Sequence, residues 1–362
     1  MLSLTKGAIQ VRQKSSRSND DYIWVEQTLG PDRAMRCARH IATRPYASRF
    51  YYDFSKMQHC PPFGVLLLAN SIRANMRKYP DSEHIPIRID ESQGGNYARS
   101  LGLFKMLGWE DGKKELNDSG QTFHIPIIEL TPDSLRGTFG EGVVLGNVIE
   151  RAAEKMALTL TQSGNLEITK ALQYCIREMV RNTFEHGETK SLWICGQYWP
   201  QKGRAEIAIM DEGCGIKQSL QRNPRFKCAT DKDAHKLALQ PGVSRMVGIR
   251  QDPYDDWQNS GYGLYVSSSL CTLGGHFIIA GGTDATFINE KGQRNYVTQV
   301  TGTIVCLALN ANNIGNHSEL LRTIVREGEK LSKEYGGDRI LTASKVSSIA
   351  SITAHIKEEQ DE

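Results

Sequence analysis

The sequence predicts an α+β protein built from two units. Its 362 residues exceed the roughly 100–200 residues of an ordinary domain. Strand-like and helix-like segments alternate between residues 21 and 107, a pattern typical of a small α/β unit. From residue 142 onwards, two long helical segments precede a hairpin and a late group of strands, which predicts a second unit of different architecture.

Composition excludes several classes of protein. Hydrophobic residues make up 39% of the chain, which favours a folded protein over a disordered one. The net charge of +3 provides no broad field, so binding to nucleic acid is not indicated. The longest apolar run, residues 63–69, is far shorter than the ~20 residues of a membrane helix. The first residues contain no apolar stretch of the kind found in a secretory signal. We therefore expect a cytoplasmic protein without a membrane partner.

The eight cysteines show no C-x-x-C spacing. Most of them lie in apolar segments, which favours neither a zinc site nor a disulfide framework. We expect reduced thiols in the core.

The elements of the first unit follow in order. Residues 1–18 are polar and basic without periodicity, and we expect a mobile arm. The small α/β unit is assigned to 19–133, with a strand at 49–54, a helix at 62–79 that begins at two prolines, and a strand at 85–89. Residues 108–133 are rich in turn formers apart from a strand-like piece at 124–128, and this stretch is the expected boundary region.

The second unit is assigned to 134–312. Its predicted elements are helices at 142–159 and 167–186, a hairpin formed by 192–198 and 205–211, an irregular segment to residue 260, a further helix and a strand group ending near residue 309. The tail, 313–362, is expected to be helical and then polar coil.

Three groups of polar residues carry chemistry. Glu178, Asn182 and His186 follow one another at four-residue steps and share one side of the predicted helix. They could bind a metal and an anion, although a solvated polar face with a lone histidine gives the same pattern.

A second group follows the strand 205–210. Asp211 precedes a turn that contains Gly213, Gly215 and Ile216. A carboxylate there can accept a hydrogen bond from an exocyclic amine, and glycines let the backbone approach a flat ring. Such turns are common after strands, so this motif alone is weak.

The third group is Gly261, Tyr262, Gly263 and Leu264, at the start of an apolar helix. Backbone N–H groups at a glycine-rich helix start suit phosphate oxygens. The segment lacks the Gly-Lys-Ser/Thr ending of a P-loop and the spacing of a Rossmann dinucleotide-binding fingerprint, which disfavours those two nucleotide folds.

In this order the three groups resemble the GHKL ATPase superfamily, which includes gyrase, MutL and the histidine kinases. The segment 178–182 matches its N box, 211–215 its first glycine box and 261–264 its second, and Gly302-Thr303 resembles its late Gly-Thr. The resemblance covers about residues 145–310. It implies the Bergerat fold, an α/β sandwich with a mixed, mostly antiparallel sheet and helices on one face.

The resemblance also implies roles and cofactors. ATP and Mg²⁺ would bind, with Asn182 holding the metal and Glu178 orienting or deprotonating the attacking water or hydroxyl. Asp211 would bind the adenine amine with support from Thr303, and amides around Gly261 and Gly263 would contact the phosphates. Segment 217–260 would form the ATP lid. Its cations, Lys232, Lys236 and Arg245, are candidates for the γ-phosphate, although a solvated lid face is the commoner outcome.

The first unit resembles a STAS domain more faintly. The similarity lies in segments 52–55, 65–76, 87–89 and 97–104. Cys60 and two prolines occupy the position where that family carries its phosphorylatable Ser or Thr, which puts a phosphorylation switch in doubt. An unrelated α/β unit is the alternative.

The predicted function is an ATP- and Mg²⁺-dependent ATPase whose nucleotide state regulates a protein partner. Its own assembly as a homodimer or a larger complex is compatible with the sequence. One alternative is a serine/threonine kinase of the anti-sigma-factor type, because His186 is followed by Gly187 as in that family. A second is a non-catalytic, nucleotide-gated scaffold. A histidine kinase is disfavoured because no histidine lies between His124 and His186.

Overall fold

The computed structural model describes residues 19–109, 123–139, 144–162, 166–245 and 261–336. The predicted arm 1–18, the later part of the predicted lid and the end of the predicted tail lie outside these ranges. The strands and helices, in chain order, are β1 (Asp20–Trp24), α1 (Pro31–Ala42), β2 (Arg49–Asp53), α2 (Pro62–Lys78), β3 (Glu83–Ile87), α3 (Gln93–Ser100), α4 (Leu103–Met106), β4 (His124–Leu130), α5 (Pro132–Phe139), α6 (Leu145–Thr161), α7 (Leu166–His186), β5 (Leu192–Trp199), β6 (Arg204–Asp211), α8 (Gly215–Gln221), α9 (Asp231–Ala238), α10 (Gly263–Cys271), β7 (His276–Asn289), β8 (Gly292–Asn310) and α11 (His317–Gly336).

The first unit contains a three-stranded parallel sheet in the order β1-β2-β3. Its strands alternate with α1 and α2, as expected for an α/β unit. Alternate side chains of β2, Phe50 and Tyr52, are fully buried and pack in one core with both helices. The third strand begins two residues before the predicted 85–89, at Glu83.

The second unit contains a five-stranded sheet in the order β4-β5-β6-β8-β7, and every neighbouring pair is antiparallel. The α+β class predicted from the sequence is therefore confirmed. One assignment needs correction, because β4 had been placed in the first unit. It pairs with β5, a strand about 60 residues further along the chain, and local sequence patterns do not reveal such a long-range pairing.

The five-stranded sheet is buried on both faces. On one face Ile207 and Ile209 of β6 belong to the core formed with α6, α7, α10 and α11. On the other face Ala208 and Met210 of the same strand belong to the core of the first unit. Because successive side chains of a strand point to opposite faces, every residue of β6 after Arg204 is buried.

Helices α1 and α2 supply the second cover. Both contact β8, and α2 also contacts β5 and β6. The expectation of helices on one face was therefore incomplete: the helices of the second unit cover one face, and those of the first unit cover the other. Every residue of α2 from 62 to 72 is buried, as a helix between two sheets requires.

The predicted irregular segment after β6 contains two helices, α8 and α9. Thr230 caps α9 through a reciprocal capping box with Asp233, in which Thr230 Oγ1 accepts from the Asp233 N–H at 3.1 Å. The apolar side chains of Leu220, Cys228 and Ala234 form a small separate core beneath these helices. Helices α8 and α9 are only 7 and 8 residues long. Their amphipathic pattern is therefore too short to be recognised in this polar segment of the sequence. Within the described ranges, no helix is long and apolar enough to cross a bilayer.

Thiol accessibility tests the predicted reduced core. Seven of the eight cysteines are buried and unpaired, and Cys214 alone is half-buried. Because burial also raises the pKa of these thiols, we expect a thiol reagent to modify one cysteine per native chain, and slowly, but all eight after denaturation. Cys214→Ser should abolish the native reaction. Several rapidly reacting thiols in the native protein would contradict this packing.

Candidate functional site

One cavity lies between α7, the ends of β6 and β8, and the lid helices. Ten of the residues singled out from the sequence line it, together with residues that had not been predicted. The predicted ones are Asn182, His186, Asp211, Gly215, Ile216, Arg245, Gly261, Gly263, Leu264 and Thr303. The others include Met179, Thr183, Ile209, Ser219, Leu220, Ala238, Val243, Ser244, Ile279 and Val305.

The wall formed by α7 has the periodicity of one helix face. Met179, Asn182, Thr183 and His186 line the cavity at spacings of three and four residues. Met179 and Thr183 were missed because the sequence interpretation followed a single row of four-residue steps, that of Glu178, Asn182 and His186. Helical spacing around Asn182 and His186 was the signal that could have identified them.

Glu178 does not line the cavity. It is 4% exposed, and its Oε1 atom accepts hydrogen bonds from Arg177 Nε at 3.2 Å and Nη2 at 2.8 Å. Each four-residue step along an α-helix turns the side chain by about 40°, so Glu178 points about 80° away from His186. The general-base role of Glu178 stays a prediction.

Gly263 separates Glu178 from the cavity. A Cβ atom at this position would collide with the Glu178 carboxylate, so glycine lets the start of α10 lie directly against α7. The Glu178 carboxylate therefore lies directly behind Gly263, which forms the cavity wall at this point.

Arg177 and Glu178 form a buried ion pair. Arg177 is 3% exposed and also donates from Nη1 to Glu150 Oε2 at 3.1 Å. Burial by itself would lower the pKa of Arg177, but the carboxylates of Glu178 and Glu150 outweigh it and raise that pKa above its ordinary value. A buried pair of this kind is costly to break from one side only.

At the opposite end of the cavity, Asp211 ends β6 directly across from Thr303 of β8. Its Oδ1 atom accepts from the Gly213 N–H at 2.8 Å, and Thr303 donates from both its backbone and its side chain. Burial raises the pKa of the Asp211 carboxyl from 3.8 to about 6, although these hydrogen bonds lower it. The carboxylate is thus fixed in place and mostly ionised at neutral pH.

The backbone next to Thr303 adopts a conformation that requires glycine. Gly302 has a φ of +75°, and a Cβ atom there would collide with the Asp211 carbonyl and Glu212 Cα. Only glycine combines this left-handed conformation with such a close approach. Gly302 therefore lets β8 bring Thr303 next to Asp211.

The last turn of α7 carries His186, and Arg245 of the lid segment lies beside it. This turn borders the one that follows Asp211, because the Cys214 N–H donates to the Gly187 carbonyl at 2.9 Å. Burial and, to a smaller extent, the Arg245 guanidinium lower the pKa of His186 to about 4, so the imidazole is neutral at pH 7. Arg245 donates to the Glu185 carbonyl and lies 3.5 Å from the Glu188 carboxylate. Arg245 is the cation that lines the cavity in the described part of the chain.

Several predicted residues lie elsewhere. Tyr262 is fully buried and packs against α11 at Gly328. Gly213 contributes its N–H to Asp211 and does not line the cavity. Lys232 and Lys236 are exposed on α9 and also lie away from the wall, which leaves Arg245 as the candidate cation from the lid.

Apolar side chains form the middle of the cavity. Ile209, Ile279 and Val305 line it from β6, β7 and β8, and Leu220, Ala238 and Leu264 do so from the helices. A flat, largely apolar ring with an amine at one edge fits between these side chains and the Asp211 carboxylate.

Comparison with known families agrees with this geometry. Residues 167–307 match the family model described as "Histidine kinase-, DNA gyrase B-, and HSP90-like ATPase". These residues form a GHKL ATP-binding domain. The match begins in α7 and ends in β8, so it includes each of the elements that carry Asn182, Asp211, Gly263 and Thr303. A search of the curated proteins finds no match to this sequence.

The donor groups suit ATP with Mg²⁺. Asp211 is the one carboxylate among the described lining residues, and it lies at the end that suits the base. Asn182 lines the same cavity from α7, one turn before His186, and offers a carboxamide oxygen, a ligand type that Mg²⁺ accepts together with phosphate oxygens and water. Negative charge near the metal would then come from the phosphates themselves.

The raised pKa of Asp211 predicts a pH-dependent affinity for ATP. The ionised carboxylate accepts a hydrogen bond from the adenine amine, whereas the protonated form loses that capacity. We therefore expect constant affinity above pH 6 and a fall of about tenfold per pH unit below it. Isothermal titration between pH 5 and pH 8 measures this.

Asp211→Asn is the matched control, because it shares the titration of the phosphates and lacks the carboxylate. Its affinity should be weak and should not show the additional fall below pH 6. An identical pH profile in both proteins would exclude Asp211 as the titrating group.

Proposed function

We propose that this protein is an ATP- and Mg²⁺-dependent ATPase of the GHKL type whose nucleotide state regulates the binding of a protein partner. One observation carries the proposal: a single cavity is lined by a buried carboxylate, Asp211, by a neutral amide and a neutral imidazole, Asn182 and His186, and by apolar side chains. These groups suit the base, the metal-bound phosphates and the sugar of a nucleoside triphosphate.

Asn182 and Arg245 are the residues that would neutralise the charge of the phosphates in this proposal. Phosphoryl transfer needs oriented donors and cations more than covalent chemistry. Asn182 would hold Mg²⁺, and Arg245 would approach the terminal phosphate from the lid. Arg245 now contacts Glu185 and Glu188, so these contacts would have to be exchanged for phosphate oxygens when ATP binds.

The lid supports regulation by nucleotide. Helices α8 and α9 and residues 243–245 contribute one side of the cavity, and their other side carries exposed residues such as Lys232 and Lys236. A ligand that contacts the inner side can therefore change what the outer side presents. A protein that binds this outer side would distinguish the ATP-bound form from the free form.

A non-catalytic, nucleotide-gated binder is the second candidate. The position of Glu178 favours it, because the carboxylate is held by Arg177 and lies behind Gly263, outside the cavity. Catalysis would require Glu178 to leave this pair and reach a water molecule near the γ-phosphate. A binder needs no such movement.

Replacing Glu178 by glutamine distinguishes the two candidates. If Glu178 is the general base, Glu178→Gln should retain ATP affinity within about threefold and reduce turnover by roughly 100-fold or more. Steady-state phosphate release and equilibrium titration measure the two quantities. A binder would show negligible turnover in the wild type as well.

Glu150→Gln is the matched control. Glu150 also accepts a hydrogen bond from Arg177 but lies on α6, so this variant weakens the ion-pair network around Arg177 without removing the candidate base. Its turnover should stay near the wild-type rate. Equal turnover in the wild type and Glu178→Gln would refute the proposed role of Glu178.

The fate of the γ-phosphate tests the class of reaction. Purified protein is incubated with γ-labelled ATP and Mg²⁺, alone and with the proteins encoded by neighbouring genes. Release of label into solution supports the ATPase. Transfer of label to a serine or threonine of a partner would identify a protein kinase instead.

A further inference from the structure

Helix α2 of the first unit makes the polar contacts that reach the nucleotide end of the five-stranded sheet. It lies across β5, β6 and β8, on the sheet face opposite α7. At its start, the Phe63 N–H donates to Glu206 Oε1 of β6 at 3.3 Å. From this point it runs towards the edge of the sheet where Asp211 and Thr303 lie.

Asn70 of α2 forms hydrogen bonds with the backbone of an irregular part of β8. The register between β7 and β8 shifts between Gly281, which pairs with Thr303, and Gly282, which pairs with Val300. Thr301 and Gly302 are the additional residues of this bulge, and a bulge leaves such backbone groups without ladder partners. Asn70 Nδ2 donates to the Thr301 carbonyl at 2.9 Å, and Asn70 Oδ1 accepts from the Thr301 N–H at 3.0 Å.

Arg73 and Arg77 of α2 hold the other side of the same edge. Arg73 donates from Nε and Nη2 to the two carboxylate oxygens of Glu212, each at 3.0 Å, and Arg77 donates to Glu212 Oε1 at 2.8 Å. Burial would raise the pKa of Glu212, but these two guanidinium groups keep it below its ordinary value. The Arg73 guanidinium also stacks on Trp193 of β5, 4.9 Å from the ring centre.

These contacts are one residue away from the groups that would bind adenine. Glu212 directly follows Asp211, and Thr301 is separated from Thr303 only by Gly302, which lies against the Asp211 backbone. Asn70 is 0% exposed, so its side chain is held between α2 and the bulge. A displacement of α2 would therefore move the bulge and the Asp211 turn together.

We propose that Asn70 and Arg73 are positioning residues for the nucleotide site, and that α2 couples the first unit to nucleotide binding. The proposal rests on the proposed function, since it requires a nucleotide at Asp211. Coupling of this kind is reciprocal: whatever shifts α2 changes nucleotide affinity, and nucleotide binding favours one position of α2.

Asn70→Ala tests the first contact, with Asn75→Ala as the matched control. Asn75 is on the same helix and is 1% exposed, but it donates to Tyr52 Oη inside the first unit. We expect Asn70→Ala to weaken ATP binding about tenfold, while Asn75→Ala stays within about twofold, as measured by titration far below either melting temperature.

The pH profile adds a readout that general destabilisation would leave unchanged. Hydrogen bonds from Thr303 lower the pKa of Asp211, so a displaced bulge should move the midpoint of the affinity profile above pH 6 in Asn70→Ala only. If both alanine variants weaken binding equally, or if Asn70→Ala binds ATP like the wild type, the coupling is refuted.

Arg73→Met keeps the test decisive if Asn70→Ala does not fold. Methionine retains an apolar stem over Trp193 but loses the paired hydrogen bonds to Glu212. We expect about threefold to tenfold weaker ATP binding. The control is Lys78→Met, because Lys78 donates only to first-unit carbonyls, those of Ala42 and Arg44, in the described contacts.

The outcomes separate this proposal from the proposed function. ATP binding that is absent in the wild type would refute both. ATP binding that is lost in Asp211→Asn but unchanged in Asn70→Ala and Arg73→Met would leave the proposed function standing and refute the role of α2.

Discussion

The double burial of the five-stranded sheet is the constraint on which the rest of the structure depends. Strand β6 carries apolar residues towards both faces, so the helices of the second unit can cover only half of its apolar surface. Exposing the other half would leave a large apolar patch in water. Helices α1 and α2 remove that surface from solvent, and the three-stranded sheet in turn packs against them.

This arrangement fixes the nucleotide end of the sheet from both sides. On one face α7 positions Asn182 and His186, and on the other α2 contacts the bulge and the turn that hold Thr303 and Asp211. The site is therefore part of the packing of two units. The lid helices rest on a small core of their own, and we expect them to be the part that moves when a ligand binds.

The sequence predicted the features that depend on local spacing. The helix that ends at His186 and the β5–β6 hairpin lie within a residue or two of their predicted bounds, since periodicity and turn residues specify them. The pairing of β4 with β5 and the cover provided by α2 depend on contacts between distant segments. The apolar run 63–69 was the available signal for a doubly buried helix. Glu178 was expected beside Asn182, but helical rotation and Gly263 place it behind the cavity wall.

Discrimination between ATP and ITP tests the central claim, that the Asp211 carboxylate faces the exocyclic amine of adenine. ITP carries a carbonyl oxygen in place of this amine, so its acceptor would face a buried carboxylate. Equilibrium titration at pH 7.5 should show ITP binding roughly 10- to 100-fold more weakly than ATP, and Asp211→Asn should lose most of this preference. Equal affinities of the wild type for ATP and ITP would contradict the account.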